Sequence, residues 1–336
     1  MMGLMGITGA MGRAAAGSLL VLALLQAAGR TPPETVAARY LDEALRLLAT
    51  NALDTHRVDW RALRHALRRQ IAGARSTADT YPAIQRAIAA LGNPHTSFVP
   101  PAPAAPGWAP PAPVAVAVPT GRTVGRLAYV TLPGLLGTDD DNSRYAAAGA
   151  AVVAALDAAG PCGWIVDLRA DTGGNMWPML TTVAPLLGDG THGWFAFADG
   201  TRTPWGTRDG APFSGDTPLF TRWRNGHTLR RPAPPVAVLT GSRTASAGEA
   251  VLIAFRGRPR TRVFGRPTAG LATANMAFTL SDGAILTLTV ANDADRTGRV
   301  YGAGPIAPDE YPANLPGSDD PALDTAVAWL NGRTGC

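Results

Sequence analysis

The chain has 336 residues, 46% of them hydrophobic and 16% charged, which excludes a disordered protein and provides apolar side chains for one large domain or two smaller ones. Its formal charge is +5. The sequence contains no lysine, and its arginines are scattered or occur in short pairs such as Arg68-Arg69 and Arg230-Arg231. No basic tract interleaved with aromatics is present, so a nucleic-acid partner is not expected, and loose attraction to an anionic surface is all the charge implies.

The chain begins with an apolar run, 14–28, between Arg13 and Arg30. This is the pattern of a secretory signal over residues 1–30; the alternative is a retained N-terminal membrane anchor, although the run is shorter than the roughly 20 apolar residues of a bilayer span. Membrane contact is expected only through this segment, if it is uncleaved. Residues 31–98 read as a helical subdomain. Val36, Tyr40, Ala44, Leu45 and Leu48 share one helical face, Asp59 is placed to cap a helix carrying Trp60, Leu63, Leu67 and Ile71, and Ile84, Ile88 and Leu91 form a third stripe. Gly92 ends that stripe, and Pro94 puts His95 in a turn directly after it.

Residues 99–122 are rich in Pro and Ala and read as a stiff linker. From 123 to 336 strands and helices alternate. A strand at 126–133 leads through Asp139-Asp140-Asp141 into an alanine-rich helix, followed by the Ile165-Val166-Asp167-Leu168 strand and a helix over 176–187. This rhythm predicts an α/β fold with a parallel sheet. Residues 188–231 read as short strands and loops. Asp282-Gly283 marks the turn of a hairpin over 277–290, and 320–330 reads as a closing helix. Cys162 and Cys336 either pair or stay free, since sequence cannot bring their Cα atoms together. No cofactor or metal site is signalled.

In Val236–Glu249, a β-branched strand breaks at Gly241 and resumes as a helix with Ser246 near its start. A serine there is either a helix cap or a nucleophile whose oxyanion meets first-turn amides without helical partners. The stretch from Gly163 to Asn175 reads as a buried strand ending in the Gly173-Gly174 turn.

Together with Gly265–Gly270, these two stretches resemble the carboxy-terminal-processing (tail-specific) serine peptidases, a family that includes the tricorn-core enzymes and the retinoid-binding-protein modules. Leu91-Gly92-Asn93-Pro94-His95-Thr96 resembles the motif that carries the catalytic histidine in the tricorn-like branch. The resemblance implies a crotonase-like (ClpP/crotonase) catalytic core with an N-terminal helical subdomain. There is no room for the PDZ module that many members insert, an absence shared with the related nisin-resistance peptidases. The family's usual lysine base falls at Leu271, and with no lysine in the chain a Ser-Lys dyad is excluded. Arginine cannot substitute, because it stays protonated.

The resemblance therefore implies Ser246 as nucleophile, His95 as general base, and an oxyanion hole from Ala247 and either Gly173 or Gly174. The third catalytic member stays unassigned. Glu249 suits a local brace as well as an orienting role, and neither Asp293-Ala294-Asp295 nor Pro308-Asp309-Glu310 matches the family's glutamate. Asp167 and Arg169 read as a structural ion pair. The expected activity is hydrolysis of peptide or unfolded-protein substrates outside the cytoplasm. An inactive module binding hydrophobic ligands or peptides, and a serine esterase, are the alternatives.

Overall fold

The computed structural model describes residues 35–101, 116–219, 223–312, 318–333 and 336. The expected signal or anchor segment and most of the Pro/Ala-rich linker lie outside these residues.

Three helices open the described chain: α1 (Val36–Asn51), α2 (Trp60–Gln70) and α3 (Tyr81–Leu91). The Asp59 carboxylate caps α2 by accepting from Ala62 N–H, and α3 ends at Gly92 in the left-handed conformation. The buried stripe of α1 runs through Ala37, Leu41, Ala44, Leu45 and Leu48. Val36 lies off the edge of that stripe and is 55% exposed, contrary to its expected place on the buried face. The helices do not close a core of their own. Their apolar side chains join one cluster with Leu280, Leu286, Leu288 and Val290 of a later hairpin, and the Tyr40 and Tyr81 hydroxyls donate to Asp282 in its turn.

Two sheets follow. The first has five strands in the order β10-β9-β4-β3-β2: β2 (Thr120–Val124), β3 (Leu127–Thr131), β4 (Gly163–Asp167), β9 (Val236–Thr240) and β10 (Thr261–Gly265). All pairs are parallel except β2 with β3. The β4 and β9 strands are buried along their whole length, as expected of a parallel sheet covered on both faces. β2 begins inside the stretch read as linker. It is a mostly exposed edge strand, Thr-Gly-Arg-Thr-Val, without the apolar alternation that marks a strand in sequence.

Helices α4 (Asp139–Ala158), α5 (Met176–Leu187) and α6 (Ala247–Phe255) contribute to the core on one face of this sheet, and α7 (Pro321–Asn331) covers the other. Thr138 and Asp141 form a capping box at the start of α4, so the acidic run belongs to the helix itself. A Cys162–Cys336 disulfide, with Cα atoms 5.0 Å apart, ties the chain end to the edge of β4.

The second sheet is antiparallel. β12 (Ile285–Asp295) is its spine, paired on one side with β11 (Thr273–Thr279) and on the other with β1 (Ser97–Val99) and then β5 (Gly190–Phe197). The sheet continues through β6 (Arg202–Arg208), β7 (Ala211–Ser214) and β8 (Thr217–Pro218), the short strands expected in 188–231. All nine residues of α6 are buried, because the helix contacts both α5 and the strands β5 and β12 of the second sheet.

Candidate active site

The turn after β9 carries Ser246 into the space between the two sheets. Thr244 locks this turn: its hydroxyl accepts from Gly241 N–H at 3.1 Å and donates to the Leu168 carbonyl at 2.8 Å. Ala245 N–H donates to the Asp171 carbonyl. The serine turn is thus fastened to the turn that follows β4.

Ser246 itself has φ 51° and ψ −113°. Helix caps ordinarily take extended backbone, and a non-glycine residue at positive φ is held there only by its surroundings. Glu249 supplies much of that hold. Its carboxylate is fully buried and accepts from Ser246 N–H (2.9 Å), Leu271 N–H (2.7 Å), Gly270 N–H (3.0 Å) and the Thr268 hydroxyl (2.5 Å). Burial raises its pKa, and these four donors oppose the rise. Glu249 is therefore a brace for the serine turn and the 268–271 turn.

The second turn presents the amides. Gly173 and Gly174 have φ 102° and 115°, and a Cβ on Gly174 would lie 1.9 Å from the Leu135 carbonyl oxygen, so glycine is required there. Gly173 N–H donates to Asp171 Oδ1, and Asn175 N–H donates to the Leu135 carbonyl. Among the described residues no group accepts from Gly174 N–H or Ala247 N–H, and both residues line the cavity that holds Ser246. Gly173 lies directly behind Ser246, with its amide already engaged. Asp171 is buried, which pushes its carboxyl up to about 7.

His95 arrives from the other side, in the turn between α3 and β1. Its backbone N–H donates to Asn93 Oδ1, and Asn93 is held by Asp54 and Thr289. His95 Nδ1 lies 2.8 Å from Thr273 Oγ1, and burial lowers the pKa of the ring. Ser246 and His95 line one cavity of about 680 Å³, open to solvent, with Met176, Trp177, Phe195 and Phe197 among its apolar walls. The two do not hydrogen-bond to each other in this state.

The other sequence candidates are placed elsewhere. Arg169 bridges Asp167 at 2.8 Å and Asp320 at 2.7 Å, a structural pair as expected. Asp295, at the end of β12, accepts from Thr297 and Tyr301 in the turn that follows, and Asp309 and Glu310 pair with Arg256 and Arg262. Two cavity residues carry no site signal in the sequence: Thr273 has no motif around it, and Asp293 does not match the family's glutamate.

A serine held at positive φ at a helix start, beside amides without protein acceptors and with a histidine on the same cavity, has the layout of a serine-type hydrolase site. Residues 126–311 match peptidase family S41, and the chain belongs to that family of serine peptidases. It is 28% identical over 309 residues to the nisin-resistance protein of Lactococcus lactis subsp. lactis, with 88% of this chain and 87% of that one covered. Among solved structures, a lipoprotein from Streptococcus agalactiae superposes with a TM-score of 0.72 at 24% identity, covering 90% of this chain and 98% of that one. The photosystem II D1 C-terminal processing protease gives 0.62 at 21%, covering 90% and 99%. Both share the fold.

Proposed function

We propose that this chain is an exported serine peptidase with a crotonase-like catalytic core and a helical N-terminal subdomain, in which Ser246 attacks a peptide carbonyl and His95 is the general base. The observation that carries this reading is the strained Ser246 backbone, braced by Glu249, in one cavity with His95. With Nδ1 protonated and donating to Thr273 Oγ1, His95 keeps Nε2 as the basic atom. Nε2 takes the Ser246 proton as the hydroxyl adds to the carbonyl, then returns it to the leaving amine. Ala247 and Gly174 N–H groups receive the oxyanion, and Gly173 shapes the turn that presents them. Closure of the two sheets around substrate brings imidazole and hydroxyl within reach, since catalytic hydrogen bonds often form only in the substrate complex.

The outer edge of β11 is unpaired among the described residues, and its first residues line the cavity. An extended peptide adding to that edge would pass the nucleophile, which supports small peptides or unfolded tails as substrates. The Cys162–Cys336 disulfide and the apolar N-terminal run support a place outside the cytoplasm. Among the described residues no helix is long and apolar enough to cross a membrane. The resistance named for the L. lactis relative brings antimicrobial peptides into the first substrate panel.

The test is a serine-directed fluorophosphonate together with peptide and ester panels. Labelling at Ser246, with turnover of peptides reduced at least about 10⁴-fold in Ser246→Ala, is the expected result. Absence of labelling would favour a binding module, and cleavage of esters alone an esterase.

A further inference from the structure

The Asp293 carboxyl lies in the cavity without a role in the proposed mechanism. It is 2% exposed, lines the same cavity as Ser246, and its Oδ1 has no hydrogen-bond partner. Its backbone is already committed, with N–H donating to Ala272 and the carbonyl accepting from Tyr301. The charge that acts on it, Glu249, is also a carboxylate, and its oxygens are filled by four donors. Burial first, and Glu249 second, push the Asp293 carboxyl up to about 7. A buried acid with no donor and a like charge beside it destabilises a fold unless a ligand supplies the missing partner.

The surroundings define that ligand. Asp293 is directly opposite Phe195 in the β12–β5 register, so both side chains are on one face of the sheet. Phe195 packs edge-on against Trp177 at 6.3 Å, and Ala250, one helical turn beyond Ser246, also lines the cavity. An apolar slot with one anion in its wall suits a long aliphatic stem ending in a cation. The alternative, that Asp293 orients His95, finds no support in the His95 ring: burial alone perturbs it, and its Nδ1 is taken by Thr273.

We propose that Asp293 is the specificity-determining carboxylate of a subsite for a basic side chain, lysine or arginine, next to the scissile bond of a peptide substrate. The proposal rests on the peptidase reading above. The cation supplies the hydrogen bonds that Oδ1 lacks and draws Asp293 into its ionised form, while the stem packs on Phe195 and Trp177.

The test measures binding to the full-length Ser246→Ala protein by calorimetry. Matched peptides carry lysine, arginine or norleucine at one position, scanned along the sequence. At pH 8 the best basic peptide is expected to bind at least about 30-fold more tightly than its norleucine partner, a ratio that collapses when Asp293→Asn is added. A second readout needs no change at Asp293. Between pH 6 and 8 affinity for the basic peptide rises about tenfold as the carboxyl ionises, while that for norleucine does not. The titratable groups around Asp293 are Glu249 of α6, whose charge acts on it, His95, which lines the same cavity, and Asp295 two positions along β12. Equal affinities at every position, or a ratio and pH dependence that survive Asp293→Asn, overturn the proposal. Turnover by the Ser246 enzyme is scored separately, so that cleavage without basic preference removes the subsite alone, and basic preference without cleavage removes the peptidase reading alone.

Discussion

The two sheets deliver different halves of the site by different means. The parallel sheet supplies Ser246, Ala247 and Gly174 from turns after β9 and β4, and these turns are bonded to each other by Thr244, Ala245 and Asp171. The antiparallel sheet and its helices supply His95, Thr273 and Asp293, and most of their apolar core forms a second cluster, although Trp205 of β6 belongs to the cluster of the parallel sheet. Phe195 is one of the side chains packed against both clusters. The proposed nucleophile and oxyanion amides are thus one unit held by short-range bonds, whereas the proposed base lies on the other side of the cavity. Changes in the first half are expected to damage fold and chemistry together, and changes in the second to separate them.

Glu249→Ala gives the largest combined effect. It strands three amides and a hydroxyl in the interior, for a loss of about 3–5 kcal/mol in denaturant unfolding together with turnover. Retained stability with lost activity would place Glu249 in the chemistry. Cys162→Ser releases the end of the chain from the face of the parallel sheet opposite the site. Unfolding free energy is expected to fall by about 2–5 kcal/mol, with kcat nearly unchanged in the protein that remains folded. Thr273→Val is the smallest change and the sharpest on the His95 side. It keeps the side-chain shape but removes the Nδ1 partner of His95, and roughly a tenfold fall in kcat with little change in KM and in melting temperature is expected. An equal fall in kcat for a His95→Ala background would show that Thr273 acts elsewhere.

The Ser246 side of the cavity was legible in sequence because its elements are local. Strand, glycine break and helix follow each other within 236–255, and the Gly173-Gly174 turn declares itself by composition. His95 was legible because Pro94 and Gly92 force a turn at a helix exit, and the resemblance gave that turn a meaning. Thr273 and Asp293 were not legible as site residues. Their placement depends on the register of β11 against β12 and of β12 against β5, which brings Thr273 178 residues beyond His95 in the chain to within hydrogen-bond distance of it. β2 was missed because an exposed polar edge strand leaves no apolar period to read. The partner of the helical stripes was not legible either, because they are completed by a hairpin nearly two hundred residues further on.

The central claim, that His95 activates Ser246, is tested most directly by the rate of fluorophosphonate labelling at Ser246 as a function of pH in the wild type and in His95→Ala. Burial lowers the His95 pKa, so the neutral, basic ring persists to lower pH than an ordinary histidine. Labelling in the wild type is therefore expected to rise with pH through a midpoint below about 6.5. In His95→Ala it should fall by about 10³-fold or more and lose that midpoint. Equal rates and an unchanged pH profile in the two proteins would contradict the account.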